Sequence, residues 1–141
     1  MDIDYDEVYN KVLYDPPRPC SCGGNCQCGA GEDPVYRDWG YWQVLEEGDG
    51  YKIKKLIIKP GKEISRQFHN ERSESWTITN GMCKVERGYP DLLEVDYFRK
   101  GQSFHILQKE VHKVINKGTT DLVAIEVQVG TRCEESDIQR I

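Results

Sequence analysis

The sequence has no apolar run longer than a handful of residues. A membrane-spanning helix takes about 20 such residues in succession, so none is expected here. Basic clusters are missing too: 19 Lys and Arg are outnumbered by 24 Asp and Glu, giving a formal net charge of −5. Nucleic acid is therefore not an expected partner, because neutralising its phosphates requires grouped cations. The opening, MDIDYDEVYNKVLYDPP, has neither a cationic start nor an apolar stretch. That argues against an ordinary secretory signal and makes a cytoplasmic protein the expectation.

Cysteine is scarce outside one short segment. Cys83 and Cys133 stand alone, while CSCGGNCQC holds Cys20, Cys22, Cys26 and Cys28. In a reducing compartment such crowding points to metal or redox chemistry more than to a disulfide framework. The spacing is tighter than the Cys-x₂₋₄-Cys pairs of zinc ribbons. Four thiolates on a Gly-containing loop suit Zn²⁺ or Cu(I), which makes them a candidate second metal site. A redox-active pair of disulfides and a tail whose cysteines do little are the other two readings.

A chain of 141 residues fits one domain with a real core. Residues 1–34 read as an irregular extension: a weak helical pattern (Val8, Tyr9, Val12, Leu13) ends at Pro16-Pro17, and a Gly-, Cys- and Pro-rich stretch follows. From Val35 onward, short β-rich runs recur between turn signals: Tyr41–Leu45, Tyr51–Ile58, Ile64–Phe68, Ser75–Thr79, Cys83–Arg87, Leu92–Phe98, Ser103–Leu107, Lys113–Ile115 and Leu122–Val127. Pro-Gly, Asn-Gly and Lys-Gly turns punctuate them, and no amphipathic helix of useful length interrupts. The expectation is an all-β domain over residues 35–141, a double-sheet jelly roll, with one helical turn at most in EESDIQRI.

Within that frame, PGKEISRQFHNERSESWTITNG carries donor groups at suggestive positions. Gln67 and His69 are two apart, so they project the same way from one strand. Glu74 lies across a short connection, and His112 arrives from a later strand. Nitrogen and oxygen donors of this kind suit a divalent first-row ion. A single histidine on a strand is more often an ordinary polar residue than a ligand, and the spacing of the whole set shifts the balance toward a metal.

That spacing resembles both motifs of the cupin superfamily. The first runs Gly61, five residues, Gln67-Phe68-His69, four residues, Glu74, six residues, Gly81. The second runs Gly101, five residues, Leu107-Gln108-Lys109, two residues, His112, three residues, Asn116. Gln67 replaces the first His of the superfamily motif, and Leu107 and Lys109 replace its Pro and Gly. A Gln-x-His pair with a Glu and a distant His is similar to the mannose-6-phosphate isomerases. RDWGYWQVLEEGDGYKIKKLIIKPG and IEVQVGTRCEESDIQRI resemble the two ends of the isomerase domain in bifunctional mannose-1-phosphate guanylyltransferase/mannose-6-phosphate isomerases. The resemblance covers Arg37 to Ile141.

It implies a cupin-type double-stranded β-helix and a metal-dependent aldose–ketose isomerase of sugar phosphates, acting on mannose 6-phosphate and fructose 6-phosphate. Gln67, His69, Glu74 and His112 would hold the metal, Zn²⁺ first, with Mn²⁺, Co²⁺ or Fe²⁺ as alternatives. Glu71 is a candidate base if its strand continues that far, and His105 is a second. Arg140 is the preferred phosphate group, with Arg37 and Lys54 as further substrate-binding cations. Trp39, Trp42 and Trp76 read as core or as a sugar-stacking surface. Asn70, Glu71 and Ser75 stand where those isomerases tend to show His. That departure keeps open a metal-containing cupin that binds a sugar or nucleotide-sugar without catalysis, and an Fe²⁺ oxygenase is a third option. A homodimer is expected, because jelly rolls leave sheet edges in need of cover.

Overall fold

The computed structural model describes residues 32–141. The described residues are all-β, as the turn spacing predicts, with eleven strands and one 3₁₀ turn among them. The strands are β1 (Val35–Arg37), β2 (Gly40–Gly48), β3 (Tyr51–Ile58), β4 (Gln67–Phe68), β5 (Arg72–Asn80) and β6 (Met82–Tyr89). They continue with β7 (Leu92–Arg99), β8 (Ser103–Ile106), β9 (Val111–Asn116), β10 (Leu122–Gly130) and β11 (Gln139–Arg140). The 3₁₀ turn, Glu135–Asp137, is the helical turn expected in EESDIQRI. Among the described residues no helix is long and apolar enough to cross a membrane. Cys20, Cys22, Cys26 and Cys28 lie outside the described residues.

The strands form two antiparallel sheets, ordered β1-β2-β3-β10-β5-β8 and β11-β4-β9-β6-β7. Between them lies an apolar core that includes Leu56, Ile58, Ile78, Val85, Ile106, Val114 and Leu122, with Trp76 stacked on Phe104 at 5.6 Å. Asn80-Gly81 looks like a hairpin turn, but β5 and β6 belong to different sheets. Gly81 instead turns a corner, at φ 81°, and a Cβ there would lie 2.9 Å from Asp121 O. Only glycine combines that dihedral with that clearance.

The last motif residue, Asn116, fastens this end of the fold. It is fully buried and donates from Nδ2 to Ile58 O at 2.8 Å and Thr120 O at 2.9 Å, while Oδ1 accepts from Gly118 N. At the opposite end the inner faces become polar. Lys52 and Lys54 on β3, Arg72 and Glu74 on β5, and Glu126 and Gln128 on β10 all point inward and are buried. Six such side chains in an interior signal a site, because buried charge is retained only where partners or a ligand offset its desolvation.

Candidate metal centre

His69 follows β4, Glu74 lies on β5 and His112 on β9, so both sheets contribute. All three are essentially inaccessible, and one donor atom from each lies within 4.8 Å of the other two. The rings of His69 and His112 are 5.1 Å apart and tilted by 54°. Each histidine has its other ring nitrogen on a backbone carbonyl: His69 Nδ1 meets Asp137 O at 3.2 Å, and His112 Nδ1 meets Glu110 O at 3.0 Å. A carbonyl only accepts, so both Nδ1 atoms carry the proton and both Nε2 atoms present a lone pair.

Those Nε2 atoms, together with Glu74 Oε1, are buried without a hydrogen-bond partner. His69 Nε2 lies against Glu74 Oε1, but without hydrogen-bond alignment, and His112 Nε2 is 3.9 Å from the same oxygen. Three orphaned acceptors converging on one point are costly in an apolar interior unless a cation sits among them. The donor set fits a divalent ion.

Electrostatics prepare the ligands. Burial pushes the Glu74 carboxyl up, but the neighbouring Glu126 and the two imidazoles beside it hold it well below the usual carboxylate range. For Glu126, burial and then the Glu74 charge push the carboxyl well above that range, so of the two Glu126 keeps the proton. Burial also lowers His112, against the pull of Glu74, which keeps its imidazole neutral and able to ligate.

Gln67 stands directly across from His112 in the β4–β9 pair, and Arg140 stands directly across from Gln67 in the β11–β4 pair. Cross-strand partners share a face, so Arg140, Gln67 and His112 form one row, running from exposed Arg140 to fully buried His112. Gln67 Oε1 accepts from Ser65 Oγ at 3.1 Å. Gln67 and Arg140 line a cavity of about 700 Å³, together with Arg37, Lys54, Arg72, Glu126 and Gln128. Lys54 is buried, paired with Glu135, and lies 4.1 Å over the Trp42 ring. Trp39, Trp42 and Trp76 serve both readings, since each lines the cavity and belongs to or packs against the core.

Two expectations need correction. β4 stops at Phe68, so Glu71 falls in the following bend, off the face shared by Gln67 and His69. Its carboxylate pairs with Arg132 at 3.4 Å on the surface. His105 projects from the outer face of β8, exposed, with Nδ1 2.9 Å from Ser75 Oγ. Neither lines the cavity. Arg72, Glu126 and Gln128 were not expected in the site. Arg72 Nη2 lies 3.6 Å from Glu74 Oε1, and Glu126 and Gln128 share a hydrogen bond. Alternation gave no signal for them: on β10 Glu126 and Gln128 fall in phase with Leu122 and Ala124, but the opposite phase is the more apolar one.

Family comparison agrees with this geometry. A model of the family described as mannose-6-phosphate isomerase C-terminal matches residues 28–141. The chain belongs to that family. This isomerase-family domain is 36% identical over 106 residues to the xanthan biosynthesis protein XanB of Xanthomonas campestris, covering 75% of the chain and 22% of that protein. It is 34% identical over 107 residues to the alginate biosynthesis protein AlgA of Pseudomonas aeruginosa, covering 76% and 21%. A mannose-1-phosphate guanylyltransferase of Escherichia coli is 33% identical over 106 residues, at 75% and 21%. The chain thus spans about a fifth of the length of these curated relatives.

Solved structures place the domain in the cupin, double-stranded β-helix fold. The capsular polysaccharide assembling protein CapF of Staphylococcus aureus superposes with a TM-score of 0.68 at 18% identity, over 77% of this chain and 33% of that one. Oxalate decarboxylase of Bacillus subtilis gives 0.72 at 12% identity, over 81% and 31%. One motif departure is accommodated directly: Lys109, where the cupin motif has Gly, adopts a left-handed φ of 64°. Its amide donates to His69 O at 2.7 Å, so the turn that delivers His112 is tied to His69.

Proposed function

We propose that this domain interconverts an aldose phosphate and its ketose, with mannose 6-phosphate and fructose 6-phosphate as the pair. The observation that carries the reading is the row Arg140–Gln67–His112, in which Arg140 and Gln67 line the cavity and Gln67 stands across from the buried His112. Two strand spacings, about 10 Å, separate its cation from its metal ligand, a span suited to an extended hexose phosphate. Arg140 would take the phosphate with its guanidinium fork, and Arg37 would add charge at the cavity wall.

His69, Glu74 and His112 would hold the ion, with Gln67 beside them as a neutral fourth ligand. Zn²⁺ is the proposed metal, since a two-His, one-carboxylate set is among its catalytic sites. A bound divalent ion supplies Lewis-acid polarisation of the carbonyl and hydroxyl oxygens at C1 and C2. Glu126 lines the cavity while nearly fully buried beside Glu74. A cation on Glu74 would offset the charge that holds the Glu126 proton, and the Glu126 carboxylate is assigned to take the proton from one carbon and return it to the other. Trp39 and Trp42 offer apolar faces that help exclude water from the sugar.

A second reading has its own support. Glu71 and His105, the two bases expected from the sequence, both lie outside the cavity, as a non-catalytic sugar-binding cupin would allow. Proton NMR of mannose 6-phosphate in D₂O with the zinc-loaded protein separates the two. Formation of fructose 6-phosphate, or deuterium entry at C1 or C2, that is lost in His112→Ala supports the isomerase. Sugar-phosphate binding without exchange, under Zn²⁺, Mn²⁺, Co²⁺ and Fe²⁺ alike, supports the binding module.

A further inference from the structure

The segment after β10 is short, yet it reaches both sheets around the metal centre. Glu134 O accepts from Arg72 Nη1 at 2.9 Å, and Glu135 pairs with Lys54. Gln139 and Arg140 then pair with Phe68 and Gln67. The segment therefore bolts β3 and β5 of one sheet to β4 of the other. At its middle stands Asp137, 2% exposed.

Asp137 makes three contacts across the gap. Its Oδ1 accepts from Asn70 N at 3.1 Å and its Oδ2 from Glu71 N at 2.9 Å. Its backbone oxygen meets His69 Nδ1 at 3.2 Å. Two successive amides form a concavity suited to an anion, so the carboxylate fixes the bend that follows His69. The carbonyl of the same residue fixes the ring. The turn itself is closed by Asp137 N to Glu134 O at 3.0 Å and Ile138 N to Glu135 O at 3.1 Å.

The two histidines differ in this respect. His112 finds its carbonyl two residues away on its own approach, at Glu110. His69 finds one 68 residues away in sequence, so its orientation depends on the C-terminal turn being docked.

We propose that Asp137 is the positioning residue of the centre: its carboxylate docks the turn on Asn70 and Glu71, and its carbonyl then fixes the His69 tautomer and ring. This rests on the reading of His69, Glu74 and His112 as a metal site. Outer partners of this kind set metal affinity by roughly ten- to a hundredfold.

Long-range ¹⁵N–¹H correlation spectra of the metal-free protein test the first half, with Nδ1–H expected at His69. Zinc titration against a competing chelator tests the second. Asp137→Ala should weaken zinc binding by roughly ten- to a hundredfold and mix the His69 tautomers, while His112 keeps its Nδ1–H form. Asp137→Asn keeps one acceptor oxygen and should fall between the two. An Nε2–H tautomer at His69 in the parent protein overturns the proposal, as does parent-like zinc affinity in Asp137→Asn or a folded Asp137→Ala. Should Asp137→Ala not fold, the parent tautomer and Asp137→Asn decide. A parent protein that binds no zinc overturns the metal reading instead, and the spectra alone then decide the orienting role.

Discussion

Trp76 Nε1 donates to Glu74 Oε2 at 2.9 Å, two residues apart on the inner face of β5. That bond occupies one carboxylate oxygen and leaves the other facing His69 and His112. Trp76→Phe keeps an aromatic ring against Phe104 but removes the donor. Expected effects are a stability loss of about 1–3 kcal/mol from the unsatisfied buried oxygen and a roughly tenfold or greater loss of metal affinity. Denaturant unfolding and zinc titration measure the two separately. Unchanged affinity would show that the tryptophan only fills the core.

Metal removal should destabilise the fold, since the three orphaned acceptors are then left together in the interior. Reloading with zinc at about 100 times its dissociation constant should restore about 2.7 kcal/mol. The gain should vanish in His112→Ala. Calorimetric melting with and without chelator gives the answer, and a melting temperature indifferent to zinc would count against the centre.

Replacing residues outside the cavity should matter little. Glu71→Gln and His105→Ala are expected to keep isomerase activity within about twofold, because surface changes away from special contacts are small. Glu126→Gln should lower kcat by about a hundredfold or more while zinc stays bound. The same initial-rate assay reads all three. A large loss in Glu71→Gln with Glu126→Gln unaffected would reverse the assignment.

Arg140→Ala removes the proposed phosphate clamp from the row with Gln67 and His112. A lost charge-assisted hydrogen bond is worth about 1.5–3 kcal/mol, so KM for the sugar phosphate should rise roughly ten- to a hundredfold with kcat little changed. An unchanged KM would place the phosphate elsewhere.

Cys83 is fully buried on β6, and burial pushes its thiol up to about 11. The thiolate is the reactive form, so at pH 8 Cys83 should resist alkylation in the folded protein and label on unfolding. Peptide-mapped alkylation kinetics measure this. Fast labelling under native conditions would mean that the core opens between β6 and β7.

Much of the fold was legible because strands announce themselves through period-2 alternation and Gly-containing turns. Not every turn signal meant a hairpin, since Asn80-Gly81 joins two sheets rather than two paired strands. His69, Glu74 and His112 were legible because motif spacing survives even when neighbouring residues change. Glu71 was misread because face-sharing assumes a strand that continues, and the anion-like grip of Asp137 on the Asn70 and Glu71 amides bends the chain there instead.

Sequence alone determined the all-β class, the donor residues and their order, because side-chain chemistry and spacing are local properties. Tertiary structure decided which face of each strand became the interior. On β10, Val123, Ile125, Val127 and Val129 form the more apolar phase, yet Leu122, Ala124, Glu126 and Gln128 point inward. A one-residue change of phase exchanges the faces, and alternation cannot choose when both carry apolar residues. What chooses is the pairing of Gln128 with Glu74 on neighbouring β5 and the contact of Glu126 with the same carboxylate, and these exist only once distant strands have met.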